Sequence, residues 1–155
     1  MVEKTKKPKK EKKPVKAKKK KTRKPSYLFA VGRRKKAIAR VRLYTGKKGE
    51  MIINDKLFSE YLKDEVSKTL LLEPLRTCNL IDRYLFTVKV LGSGKNSQLG
   101  AIIHGMSRAI VKLDEEKYRP ILKKRGFLTR DSRMRERRKI GTGGKARRQK
   151  QSPKR

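Results

Sequence analysis

YLFAVGRRKKAIARVRLYTG, residues 27–46, is the stretch whose reading decides the fold. Ala37, Ala39, Val41 and Leu43 alternate with Ile38, Arg40, Arg42 and Tyr44. That period of two predicts a strand with one apolar face and one face carrying two guanidinium groups. The residues before it read as a second strand. Arg33, Arg34, Lys35 and Lys36 then form a basic turn between the two.

Further along, GKKGE is a glycine-bounded turn and MIIND a short third strand. Asn54 or Asp55 is expected to cap a helix through LFSEYLKD, where Leu57, Tyr61 and Leu62 share a face. VSKTLLLEPLRTCNL predicts a helix interrupted at Pro74. RYLFTVKVLG, rich in aromatic and β-branched residues, predicts the best strand of the chain. The loop GSGKNS follows. QLGAIIHGMSRAIVKLD then has helical spacing, with Ile102, Met106, Ala109, Ile110 and Leu113 in a stripe. Gly100 and Gly105 predict close packing of this helix on the sheet. EEKYRPILKKRG is a final short helix ended by Gly126. The expected fold class is α+β: a small four-stranded sheet with helices on one face, plus long basic N- and C-terminal extensions.

Charge sets the domain boundaries. Lys and Arg number 48 against 14 Asp and Glu, a net charge of +34. Residues 1–25 hold 14 basic and 2 acidic side chains, and residues 123–155 hold 15 and 2. The expected organisation is a disordered Lys-rich arm over 1–25, a globular domain over 26–126 and a basic tail over 127–155. Such arms repel themselves unless a polyanion neutralises them, and nucleic acid is the natural polyanion. No apolar run reaches the ~20 residues that span a bilayer, and no amphipathic helix or lipid motif accompanies the basic arm, so no membrane partner is expected.

Catalysis and cofactors find little support. The single Cys78 offers no disulfide partner, and the single His104 no ordinary zinc set. GSGKNS follows a strand and precedes a helix, but Lys89 and Asn96 stand where a P-loop requires Gly and Ser or Thr. It reads instead as a tight turn whose amides and Lys95 can face a phosphate backbone. Gly141 and Gly144 have KH-loop spacing, but a polycationic tail follows where a helix is required, so Gly141, Gly143 and Gly144 read as flexibility for threading. Glu73, Asp82, Asp114 and Asp131 lack a neighbouring nucleophile, His or metal cluster, and Asp131 and Glu136 read as internal partners of Arg130, Arg133 and Arg137. No catalytic residue, metal or cofactor is expected. A free nucleic-acid regulator would carry a basic helix with heptads or stacking aromatics in an RRM pattern, and neither is present.

Four stretches in order carry a resemblance. They are GRRKKAIARVRLY, INDKLFSEYL, TVKVLGSGKNSQLGAIIHGMSRAIV and LKKRGFLTRDSRMRERRKIGTGGKARR with a terminal Lys-Arg. From about Phe29 to Arg155 the chain closely resembles the ribosomal protein S-nine family of the small ribosomal subunit, in a spelling nearer bacterial members. The resemblance implies a left-handed β-α-β crossover, a departure from the usual hand. It also implies a cytoplasmic place in the head of the small subunit, against small-subunit ribosomal RNA and neighbouring head proteins. The clustered basic residues themselves are expected to contact the RNA: Arg33, Arg34, Lys35, Lys36, Arg40, Arg42, Lys95, Arg130, Arg133, Arg135, Arg137, Arg138, Lys139, Lys145, Arg147 and Arg148. The resemblance implies further that the tail reaches the anticodon stem-loop of the peptidyl-site tRNA through Lys154 and Arg155. Family members often carry an aromatic residue before the terminal Ser-Lys-Arg. Here the end reads Gln151-Ser152-Pro153-Lys154-Arg155, so contact there would be by charge.

Overall fold

The computed structural model describes residues 27–142 and 144–147. Strands β1 (Tyr27–Arg34) and β2 (Ala37–Tyr44) form the predicted hairpin, in a register that places Gly32 opposite Ala39 and Phe29 opposite Arg42. After β3 (Ile52–Ile53) and β4 (Lys56–Leu57) come helices α1 (Phe58–Tyr61) and α2 (Glu65–Thr77). Strand β5 (Leu85–Leu91) and helices α3 (Lys95–Val111) and α4 (Glu115–Lys124) complete the order. The sheet runs β1-β2-β5-β3-β4, antiparallel except where β3 lies parallel to β5. The connection from β3 to β5 passes through β4, α1 and α2.

The class is α+β, but the sheet has five strands rather than four. The extra strand, β4, occupies the start of the expected capped helix. Asn54 and Asp55 both take left-handed backbone angles, φ 48° and 64°, and reverse the chain in a two-residue hairpin turn. Asn54 is then committed to β5: its Oδ1 accepts from the Val90 N–H at 2.8 Å and its Nδ2 donates to the Val90 carbonyl at 3.0 Å. Neither residue caps a helix, and α1 shrinks to four residues with no side-chain cap.

The second departure concerns Pro74. Helix α2 runs through it to Thr77, with Pro74 buried. A proline removes one helical N–H and crowds the carbonyl four residues earlier. So near the C-terminus the loss is local. The last turn is re-tied by the Thr77 hydroxyl, which donates to the Glu73 carbonyl at 2.8 Å, and by the Cys78 N–H, which donates to the Pro74 carbonyl at 3.3 Å. At the other end Asp64 caps α2, accepting from the Ser67 N–H at 3.1 Å and its hydroxyl at 2.8 Å.

The core lies between the sheet and the helices. Ala37, Ala39, Val41, Leu43, Phe86, Val88 and Val90 point into it from the sheet. Ile102, Met106, Ala109 and Ile110 meet them from α3, so the predicted stripe is the buried one. Helix α3 lies across β1 and β2, with α2 and α4 against it. Gly32 and Gly105 set this distance. A Cβ at Gly32 would come 1.9 Å from the Ala101 carbonyl oxygen, and one at Gly105 would come 2.7 Å from Val41 Cγ2. Helix α4 ends in a Schellman turn, with the Gly126 N–H on the Lys123 carbonyl at 3.0 Å and the Phe127 N–H on Leu122 at 3.1 Å.

Candidate nucleic-acid interface

Because all helices sit on one side, the other face of the sheet is open. Strand parity decides what it shows. Arg40 lies between Val31 of β1 and Lys89 of β5, and Arg42 between Phe29 and Thr87. Ile38 sits between Arg33 and Leu91. Phe29, Ile38 and Leu91 are exposed, Leu91 to 70%. The Arg42 guanidinium lies 5.2 Å from the centre of the Tyr27 ring, and Tyr27 and Tyr44 pack with centroids 5.7 Å apart. The face is therefore cations laid over aromatic and aliphatic surface, a chemistry that suits phosphates and base faces together.

Two shallow depressions mark it. One of about 350 Å³ is lined by Arg40, Arg42, Tyr44, Asp55, Thr87 and Lys89. The next, about 260 Å³, is lined by Lys36, Ile38, Arg40, Asn54, Lys89 and Leu91. Lys89, Tyr27, Tyr44 and Phe29 were not among the candidates read from sequence. The signal for Lys89 was present, since it alternates with Val88 and Val90 in the strand.

The basic turn divides between the two faces. Arg33 follows the open-face parity, and its backbone N–H donates to His104 Nδ1 at 3.3 Å. Arg34 turns to the helix side. Its side chain fills the space left by Gly100, where a Cβ would lie 2.4 Å from Arg34 Cδ. Its guanidinium reaches Asp131 at 3.3 Å and the Asn96 carbonyl at 3.5 Å. Arg34 is thus engaged by its own chain, with its side chain still 34% exposed. Lys35, at φ 49°, and Lys36 stand at the tip with Ser93, Met134 and Arg135 around a third depression of about 250 Å³. A fourth, about 250 Å³, lies where Arg33, Arg34 and His104 meet Phe127 and Asp131.

Strand β1 is a sheet edge, and α3 covers it with polar groups. His104 accepts from the Arg33 N–H, Arg108 donates to the Val31 carbonyl at 2.6 Å, and Lys112 donates to the Phe29 carbonyl at 2.8 Å. Three side chains four residues apart substitute for a neighbouring strand. Burial, and then the charge of Arg108, lowers the His104 pKa below its ordinary value.

Lys95 is exposed in the first turn of α3. The helix begins three residues before the predicted start, inside the glycine loop. Gly94 caps it with no side chain, and no acid occupies the first turn. The positive end of the helix and Lys95 therefore point the same way.

Beyond α4 the chain runs without helix or strand through Arg147. Asp131 takes Arg133 bidentately, Nε to Oδ1 at 3.0 Å and NH2 to Oδ2 at 2.9 Å, which with the Arg133 backbone bond holds its carboxyl far below the usual range. Glu136 pairs with Arg147 at 2.8 Å, and that partner lowers its pKa. Between them, the Lys139 N–H donates to the Lys145 carbonyl at 3.3 Å and the Thr142 hydroxyl to the Lys139 carbonyl at 2.7 Å. Gly141 and Gly144 lie in this segment with left-handed backbone angles, φ 81° and 74°. Arg130, Arg135, Arg137 and Arg138 have no ion-pair partner among the described residues. Arg148, Lys154 and Arg155 lie outside the described residues, as does the N-terminal arm.

The family model described as ribosomal protein S9/S16 matches residues 32–155. Two curated relatives, the small ribosomal subunit protein uS9 of Anaeromyxobacter sp. strain K and that of Anaeromyxobacter dehalogenans strain 2CP-1, are each 49% identical over 114 residues. The alignment covers 74% of this chain and 86% of theirs.

Proposed function

The chain belongs to the ribosomal protein S9/S16 family, and from that premise we propose how its surface is used. It is a structural protein of the small ribosomal subunit and of translation, and not an enzyme. In the proposed arrangement the domain of residues 26–126 lies in the head of the cytoplasmic small subunit. Its open sheet face rests on small-subunit ribosomal RNA, with neighbouring head proteins on other sides. The observation that carries this reading is the row Arg40–Lys89 with Arg42 beside it, on the one sheet face that no helix covers. RNA of this kind is recognised by shape and phosphate position, which a fixed row of cations on a rigid sheet supplies.

Residues 127–155 continue the same basic surface away from the domain. Arg130, Arg135, Arg137 and Arg138 neutralise phosphates where RNA helices crowd. Lys154 and Arg155 meet the anticodon stem-loop of the peptidyl-site tRNA. The family resemblance further supports a left-handed connection from β3 to β5.

The test separates the levels. Cosedimentation with small subunits at high salt distinguishes a resident protein from a free nucleic-acid binder. Removing Lys154 and Arg155 should then leave subunit assembly intact and weaken tRNA at the peptidyl site modestly, because many other contacts remain. Unchanged tRNA affinity at every salt concentration contradicts the tail contact alone.

A further inference from the structure

On the helix side of the sheet lies a groove of about 220 Å³ of opposite character. Phe58, Leu72, Ile81 and Tyr84 form its walls, and Glu50 and Asp82 stand at its margin. No Lys or Arg lines it, whereas the four depressions described above each carry at least two. Ile81 is 43% exposed, a large aliphatic side chain left in water. Glu50 and Asp82 have no hydrogen-bond or ion-pair partner among the described residues, in a chain with 48 cations. The other carboxylates are often engaged: Asp64 and Asp114 cap helices, and Glu65, Glu73, Asp131 and Glu136 hold Lys or Arg.

We infer that this groove is a protein-docking site, which receives a segment of a neighbouring protein placing one large apolar side chain between Lys or Arg residues. Two uncompensated carboxylates repel a phosphate backbone, so RNA is the wrong occupant. Apolar walls with a charged margin are the anatomy of a small peptide pocket, where the apolar side chain supplies affinity and the margin charges select the partner. The chain's own N-terminal arm has the cations but no anchor set between them, for residues 1–26 contain no Leu, Ile, Phe, Tyr or Trp, and Met1 is followed by Val2 and Glu3. The groove also faces away from the proposed RNA surface, so both can be occupied at once. The inference rests on the chain's place in the small subunit and gives that surroundings a second, protein-facing side.

The experiment is photo-crosslinking in assembled small subunits. Benzoylphenylalanine replaces Ile81 in one variant and, as a control on the open face, Leu91 in another. The expected result at position 81 is a cross-linked peptide from another small-subunit protein, with a large apolar residue flanked by Lys or Arg. Adding Glu50→Lys and Asp82→Asn, the latter keeping a residue suited to the left-handed φ of 57° at that position, should lower that yield at least fivefold, with thermal unfolding and subunit incorporation unchanged. A cross-link from position 81 to RNA, to residues 1–26 or to a second copy overturns the inference, as does no cross-link at all. The control reports separately: if position 91 fails to reach RNA, it is the proposed RNA face that falls.

Discussion

Arg34 NH2 lies 3.3 Å from Asp131 Oδ2, joining the end of β1 to the first residues of the C-terminal tail. Arg34 can reach because Gly100 leaves its side chain room against α3. Asp131 holds Arg133 at the same time. One carboxylate therefore fixes where the tail leaves the domain, and Met134 and Arg135 come to rest beside Lys35 and Lys36. The tail's cations begin where the turn's cations end.

This tie should persist in acid. Arg133 and Arg34 hold the Asp131 carboxyl well below the ordinary carboxylate range. A carboxylate with a depressed folded pKa stabilises above its unfolded value of about 4 and loses that stabilisation only as pH falls through the folded value. Carboxyl-carbon NMR should show no Asp131 midpoint near that ordinary value, only one well below it. Asp131→Ala should speed exchange of the Arg133 amide, which donates to Asp131 Oδ1 at 3.0 Å. An ordinary midpoint, or unchanged exchange, would break the tie.

His104 should respond in the same sense but nearer neutrality. Its Nδ1 must be unprotonated to accept from the Arg33 N–H, and burial lowers its pKa. Between the folded pKa and the unfolded value of about 6.5, the unfolded chain binds more protons, so stability falls as pH falls through that window. Urea denaturation at pH about 7 and about 5.5 should show a larger loss for the native sequence than for His104→Gln. An equal or smaller loss means His104 does not hold the β1 edge as a neutral acceptor.

Gly32→Ala should be among the most damaging single substitutions in the domain. The added methyl meets backbone on two sides, the Ala101 carbonyl oxygen at 1.9 Å and the Gly105 nitrogen at 2.3 Å, so neither neighbour can yield by a rotamer change. A loss on the order of 3 kcal/mol is expected from overpacking. Gly46→Ala, with nothing within 4 Å, should change stability by no more than about 0.5 kcal/mol. Comparable urea midpoints for the two variants would contradict the proposed contact between β1 and α3.

Arg40 and Arg34 should separate in RNA binding. Arg40→Ala removes an open-face cation and should reduce the log–log salt slope by about 0.7 to 0.9 for each phosphate lost. Arg34→Ala should leave the slope nearly unchanged, because its guanidinium is engaged with Asp131 and Asn96. Equal slopes for both variants would mean that the two sheet faces are not distinguished by RNA.

Much of this was legible in the sequence, and the failures have physical reasons. The alternation in 37–44 was enough to place Arg40 and Arg42 opposite the core, because strand parity is strict. The α3 stripe was equally plain, since a 17-residue helix repeats its period several times. Arg34 was not separable from Arg33, because adjacent strand residues face opposite ways and the tight turn hides the parity. Asn54 and Asp55 misled for a different reason: the same side chains that cap helices also tolerate left-handed turns, and only pairing with β5 decides between them. Lys89 is one cation among the apolar residues of β5, and only pairing with β2 sets it beside Arg40. The Glu50–Asp82 groove has no local pattern, being assembled from four separated segments.

The measurement that bears most directly on the central claim is a cryo-electron microscopy map of the small subunit carrying this chain. The account predicts ribosomal RNA phosphates within hydrogen-bonding reach of Arg40, Arg42 and Lys89, with Arg34 still on Asp131. A map in which the open sheet face meets solvent or protein, and RNA lies instead on the helix side, would contradict it.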